Sequence, residues 1–288
     1  MSRKFVARSA KLLTAISAIL VLSIPSARGQ SAQVTVGALG RTFMVQYKNE
    51  RGTIFSIDVN NREYWITAKH ILTGAKSAPF GEYDSPTVTV SILSPADEVQ
   101  KWVPETFSVI DPGKDIDIVV LVPQHALLPT KDPLTVGSKG VAFGGDCEFL
   151  GFPYGGGWRA HWATGQSVWY PYVKHCTVSA SLEDTKIWVL DGINNVGFSG
   201  GPVLSGTGTQ QNVFAVVSGY HTEPADVVDE NTDVPPGPGA APNSKPDKEK
   251  TEKKEIVNVN SGFIIAYSID AAIDAIQKNP IGPLRTSQ

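Results

Sequence analysis

An all-β fold closed by one short helix is what this sequence predicts, on three observations. Short runs of β-branched and aromatic residues alternate with turns from Val34 to Ala266. Helical periodicity is nearly absent before the C-terminal end. The 288 residues include 27 glycines and 20 prolines, the punctuation that many turns require. Many short strands between Gly/Pro turns indicate barrels or sandwiches, and periodicity alone does not choose between the two.

The elements follow in chain order. Arg3, Lys4, Arg8 and Lys11 precede the apolar run from Leu12 to Ile24, and Ala27 and Gly29 stand at −3 and −1 before Gln30. This is the pattern of a signal peptide over residues 1–29. The run is shorter than the ~20 residues that span a bilayer, so cleavage is expected rather than an anchor. The mature protein is then secreted or periplasmic, with no stable membrane insertion. One domain is expected over 33–280.

Its first half, 33–128, carries strand-like runs at Thr42–Tyr47, Thr53–Val59, Tyr64–Thr67, Thr87–Leu93, Thr106–Ile110 and Ile116–Val122. The second, 134–268, carries Gly140–Phe143, Glu148–Gly151, Thr177–Ser181, Ile187–Leu190, Pro202–Leu204, Val213–Tyr220 and Phe263–Ala266. The helix falls at 268–278, where Ser268 is a good N-cap and Ile269, Ala272, Ile273 and Ile276 share one face. Residues 222–258 interrupt the second half with Pro, Asp, Glu and Lys and few aliphatics. Such a stretch buries too little apolar surface to offset its ordering entropy, so a solvated, disordered insertion is expected.

The chemistry concentrates in Gly197-Phe198-Ser199-Gly200-Gly201-Pro202. A serine between glycines suits a tight turn that presents one hydroxyl while backbone N–H groups converge beside it. A serine hydroxyl is a weak nucleophile until a neighbouring base takes its proton. Upstream, the run from Tyr64 to Ala68 leads to Lys69 and His70, and Asp117 abuts the apolar stretch Ile118–Val122. Asp115 and Asp111 are rivals for Asp117, which is preferred because its place against the apolar run gives a buried, fixed carboxylate. The order is His, Asp, Ser.

A formal net charge of −3 and no basic stripe interleaved with aromatics give no reason to expect nucleic acid as a partner. The only cysteines are Cys147 and Cys176. In an exported chain such a pair is expected to be bridged; free thiols remain the alternative, and metal binding without clustered histidines is disfavoured. No cofactor or metal is expected.

With these residues the sequence resembles the trypsin-like, chymotrypsin-fold serine peptidases, in the style of the bacterial HtrA/Deg and glutamyl-endopeptidase branch and without a PDZ domain. Gly52-Thr53-Ile54-Phe55, Ile66-Thr67-Ala68-Lys69-His70, Asp117-Ile118-Val119-Val120-Leu121, Phe149-Leu150-Gly151-Phe152-Pro153 and Thr177-Val178-Ser179-Ala180 each resemble a family motif, as does Gly262-Phe263-Ile264-Ile265-Ala266 before the closing helix. The resemblance implies two six-stranded antiparallel barrels, 33–128 and 134–268, with the site in the cleft between them. It implies the strands carrying Cys147 and Cys176 as neighbours. It also implies an endopeptidase acting on protein or peptide, with His70, Asp117 and Ser199 catalytic and the N–H groups of Gly197 and Ser199 as the oxyanion hole. Ile193, Ser218, Gly219 and His221 fall in the substrate-binding region, with His175 a weaker counterpart of His221.

Two departures carry information. Phe198 stands where trypsin has an aspartate that pairs with a newly cut N-terminus, so that mode of activation is not expected. Ile193 falls where trypsin has an acid, so small or apolar P1 residues are expected, with Asp191 close by as the acid that could reverse this. The Tyr154–Tyr172 stretch, holding Trp158, Trp162 and Trp169, is either a loop over the cleft or ordinary packing. An inactive peptidase-like binding module and a serine esterase are the alternative functions.

Overall fold

Strand β1 (Thr42–Tyr47) follows a short helix α1 (Val36–Gly40) and pairs with β2 (Glu50–Val59), which turns back as β3 (Arg62–Thr67). The β2–β3 turn is made by Asn60 and Asn61, with φ of +50° and +58°. This is the left-handed pair that a two-residue hairpin needs, and Asn tolerates it. Helix α2 (Lys69–Thr73), β4 (Thr87–Leu93), β5 (Trp102–Ile110) and β6 (Val119–Pro123) complete the first half. The six strands close into a barrel in the order β1-β2-β3-β6-β5-β4. The computed structural model describes residues 34–95, 101–129, 132–161, 167–226 and 256–285. The expected signal peptide and Trp162 lie outside them.

Strand β3 shows how the barrel is built. Tyr64, Trp65, Ile66 and Thr67 are all buried, because alternate side chains meet different cores. Tyr64 and Ile66 join Phe55, Ile57 and Val120. Trp65 joins Phe43, Phe107 and Leu121 on the other side. Both sides are covered, so the run reads as continuously apolar.

The second half begins with a two-residue β7 (Thr135–Val136) and β8 (Asp146–Gly151). A hairpin of β9 (Trp158–His161) and β10 (Ser167–Tyr170) leads to β11 (Tyr172–Leu182), β12 (Ile187–Asp191) and β13 (Pro202–Ser205). The long strands β14 (Asn212–Asp226) and β15 (Ile256–Ser268) and helix α3 (Asp270–Lys278) follow. The order β13-β8-β11-β12-β15-β14, with β13 also paired to β14, makes a second six-stranded barrel; β7 adds to β14 in parallel. Two six-stranded antiparallel barrels and a short terminal helix are therefore the architecture expected from the sequence. Among the described residues no helix is long and apolar enough to cross a membrane.

Several details differ from expectation. Gly140–Phe143 is a turn rather than a strand, with Phe143 two-thirds exposed. The ends of the segment 222–258, expected as a disordered insertion, are ordered strand. Residues 222–226 pair with 256–260 in a hairpin that extends β14 and β15 past the barrel. Backbone pairing needs no apolar face, so composition could not show these arms. Residues 227–255 lie outside the described residues. β3 stops at Thr67 as expected, but His70 sits in a short helix that the sequence did not signal, α2, which Gly74 closes in the left-handed conformation. Helix α3 starts one residue later than its periodicity indicates, and the Ser268 hydroxyl accepts from the Asp270 N–H at 3.3 Å.

Cys147 and Cys176 are direct partners in the β8–β11 register, 4.9 Å apart at Cα, and form a disulfide. Closing a loop of this length contributes roughly 3 kcal/mol by the loop-entropy argument.

The chain after α3 returns to the first barrel. The Arg285 guanidinium is buried and reaches Asp58 at 2.6 Å, Glu63 at 2.5 Å and the Leu128 carbonyl. Burial pushes the Glu63 carboxyl upward, opposed by the Trp65 indole N–H, Arg285 and the Leu127 and Leu128 amides. Arg285→Met is expected to destabilise the protein by about 3–5 kcal/mol, because Glu63 loses its buried ion-pair partner and Asp58 keeps only Arg41, at 3.5 Å. Urea unfolding of the two proteins measures this directly.

Candidate active site

Asp117 is fully buried just before β6, yet three donors satisfy it. The His70 backbone N–H donates to Oδ1 at 2.8 Å, His70 Nδ1 lies 2.7 Å from Oδ2, and Ser218 Oγ donates to Oδ2 at 2.5 Å. A buried carboxylate needs such partners to stay charged. With a carboxylate on Nδ1, that nitrogen carries the proton and Nε2 keeps its lone pair. The rivals are elsewhere: Asp111 pairs with Lys69 at 2.7 Å, and Asp115 is exposed.

Ser199 sits on the turn before β13. Its carbonyl accepts from Thr53 N–H at 2.8 Å, and Thr53 Oγ1 donates to the Gly197 carbonyl at 2.7 Å. Thr53 belongs to β2, so these two bonds tie the serine turn of one barrel to the wall of the other. The glycines are required. Gly197 has φ +105°, and a Cβ there would stand 2.2 Å from the Phe152 carbonyl oxygen. Gly200 has φ +83°, and its Cβ would meet the Thr53 carbonyl oxygen at 2.1 Å. Gly197→Ala is therefore expected to displace this turn and cost roughly 1–3 kcal/mol, read as a lowered unfolding midpoint.

The Ser199 hydroxyl donates to the Ser218 carbonyl at 3.0 Å. Ser218 thus touches both Asp117 and Ser199, and it links the two halves of the site. His70 and Asp117 are in direct contact; Ser199 joins them through Ser218, its single proton directed at that carbonyl rather than at the imidazole.

The remaining expected site residues are spread around this centre. Ile193 is 62 % exposed, while its neighbour Asn194 is 1 % exposed and donates from Nδ2 to the Gly219 carbonyl at 3.2 Å. Asn194 is therefore the side chain that bridges the serine loop and β14, a contact between distant segments that no local motif signals. His221 is exposed, and its carbonyl accepts from Ser261 Oγ. His175 is exposed and lies 3.5 Å from Asp146. Of the aromatic stretch, Trp169 packs with Met44, Leu93 and Phe152, and Trp158 donates to the Pro171 carbonyl at 2.7 Å. Tyr154 projects most strongly, at 78 % exposure, and Trp158 and Tyr172 are also partly exposed.

Lys174 was not signalled by any motif. Its ammonium donates to the Ile193 carbonyl and, at 2.7 Å, to Asn195 Oδ1, and lies 5.6 Å from the Phe198 ring centre. Partial burial lowers its pKa below the ordinary lysine value. Among the described residues no group of three or more His, Cys, Asp or Glu side chains could hold a metal ion.

Two six-stranded barrels joined across a serine turn are the chymotrypsin fold, that of the trypsin-like serine proteases. Among solved structures, a thermostable serine protease AL20 from an extremophilic microorganism aligns over 83 % of this chain and 96 % of its own, with TM-score 0.51 and 12 % identity. The active form of the Mycobacterium tuberculosis protease Rv3671c aligns over 87 % of each chain, with TM-score 0.46 and 14 % identity. The protease Anisep from Arthrobacter nicotinovorans aligns over 81 % of this chain and 91 % of its own, at TM-score 0.45 and 13 % identity. No protein-family model and no curated protein matches the chain.

Proposed function

We propose that this protein is an exported serine endopeptidase working through an acyl-enzyme. The observation that carries the proposal is the buried Asp117, bonded to His70 Nδ1 at 2.7 Å and joined through Ser218 to a serine on a glycine-defined turn. Ser199 Oγ attacks the scissile carbonyl, and His70 Nε2 takes its proton and returns it to the leaving amine. Asp117 keeps the imidazole in the required tautomer and stabilises its charged form. The N–H groups of Gly197 and Ser199 receive the developing oxyanion. Export is supported by the basic and apolar N-terminal pattern and by a disulfide, which persists in oxidising compartments.

Among the described residues no acidic side chain bonds to the serine loop; instead the Asn194 amide spans to Gly219. Small or apolar P1 residues are the expected preference, and activity needs no trimming beyond signal removal. Digestion of a peptide library, read by mass spectrometry, tests both. Cleavage mainly after Arg or Lys contradicts the preference, and an inert mature chain that awakens only on further cleavage contradicts the second point. One observation favours the inactive binding-module reading: the Ser199 hydroxyl is directed at the Ser218 carbonyl. In the proposed reading that hydroxyl turns to His70 when substrate binds, since catalytic hydrogen bonds commonly tighten only in the complex.

A further inference from the structure

The loop from Gly192 to Phe198 sets the Gly197 and Ser199 amides, yet little of it is held by apolar burial. Phe198 is fully buried, but Ile193 and Val196 are 62 % and 61 % exposed. Polar contacts take up the work. Tyr154 N–H donates to the Val196 carbonyl at 2.8 Å, and Asn260 Nδ2 donates to the Asn194 carbonyl at 2.7 Å. Asn195 Nδ2 lies 3.2 Å from the Tyr154 hydroxyl. A trans peptide points its C=O and N–H in opposite directions, so fixing the Val196 carbonyl also fixes where the Gly197 N–H points.

One cation converges on this loop. Lys174, from β11, bonds the Ile193 main chain and the Asn195 side chain and lies over the Phe198 ring, so a single ammonium grips three of the seven residues. Its stem is partly buried beside Phe149, its partner in the β8–β11 register. Charge-assisted hydrogen bonds are the stronger kind, and lysine offers three donors from one point.

We propose that Lys174 is the positioning residue of the oxyanion loop: an internal ammonium that orders residues 193–198 and so holds the Gly197 amide in its working direction. The catalytic half of this inference rests on the hydrolase reading above. The anchor comes from the same barrel as the loop it holds, on the strand paired with β8.

The test is Lys174→Met, which keeps the aliphatic stem and removes the donors, beside Lys174→Arg, which keeps charge and donors. Amide hydrogen exchange followed by mass spectrometry reads the loop without reference to activity. Exchange in residues 193–198 is expected to rise about tenfold in Lys174→Met, with β12 and β15 unchanged and the Arg variant near wild type. Turnover of a peptide substrate is expected to fall about ten- to a hundredfold in kcat with KM within twofold, since the lost interaction acts on the transition state. Unchanged exchange in the loop overturns the proposal, whether or not the protein hydrolyses anything. Raised exchange with unchanged kcat overturns it too. Raised exchange in Lys174→Met, when the wild-type protein itself hydrolyses no peptide, leaves the anchor standing and removes the peptidase reading instead. Should Lys174→Met fail to fold, Asn195→Ala removes one of its two acceptors, and a smaller rise confined to the same segment is expected; no rise there overturns the proposal.

Discussion

Replacing Ser199 by alanine is expected to lower kcat for peptide hydrolysis about a million-fold, the scale on which loss of a serine nucleophile collapses a triad. The expectation follows from how the side chain is placed. Its backbone is pinned by Thr53 and by the Gly200 N–H bond to the Val217 carbonyl at 2.7 Å, so alanine leaves the turn intact while the hydroxyl goes. The Ser218 carbonyl loses one donor and nothing else moves. Unfolding midpoints of the two proteins should agree within a degree or two, because a partly exposed hydroxyl is worth about 1 kcal/mol or less. Residual turnover measured with a fluorogenic peptide checks the loss. Retention of more than a hundredth of the wild-type rate is incompatible with a Ser199 nucleophile.

Asp117→Asn is expected to lower kcat about ten-thousand-fold, with the fold preserved. The Asp117 carboxylate accepts from three donors: the His70 main chain, His70 Nδ1 and Ser218 Oγ. An amide offers one acceptor oxygen and two donor hydrogens. Turned one way, its NH2 opposes the His70 N–H; turned the other, it meets Nδ1 and forces the proton to Nε2, where the base is needed. Asp115→Asn provides the control, since Asp115 is exposed and should leave kcat within twofold. Equal effects of the two substitutions would show that the aspartate acts only through overall charge.

The serine turn was legible in the sequence because its glycines have no substitute: a Cβ at Gly197 or Gly200 would meet a backbone oxygen at close to 2 Å. Asp117 could be separated from Asp115 for a related reason. A carboxylate abutting a run buried on both sides must itself be buried, and Asp117 is. The two barrels were visible only as a count of strands; their closure came from a resemblance, since alternation of apolar residues is the same in a sandwich.

What stayed hidden depends on contacts between distant segments. Lys174 reads as one more polar residue on β11 until the loop at 193–198 is folded against it. Asn194 and Ile193 are adjacent, and the chain alone gave no reason why the amide rather than the isoleucine turns inward. The arms of β14 and β15 looked like loop because Thr222, Glu223, Pro224 and Asp226 are polar or strand-breaking residues. Their ladder to 256–260 is a matter of backbone bonds and of continuity with a strong hairpin. Helix α2 is too short for periodicity to reveal.

The most direct test of the central claim is covalent labelling of the purified mature protein with a fluorophosphonate probe, with the adduct located by mass spectrometry. An activated serine predicts one adduct, on the peptide containing Ser199, absent in Ser199→Ala and weakened in Asp117→Asn. A folded wild-type protein that takes up no probe, or takes it up equally without Ser199, would contradict an activated nucleophile here and bring the binding-module reading forward.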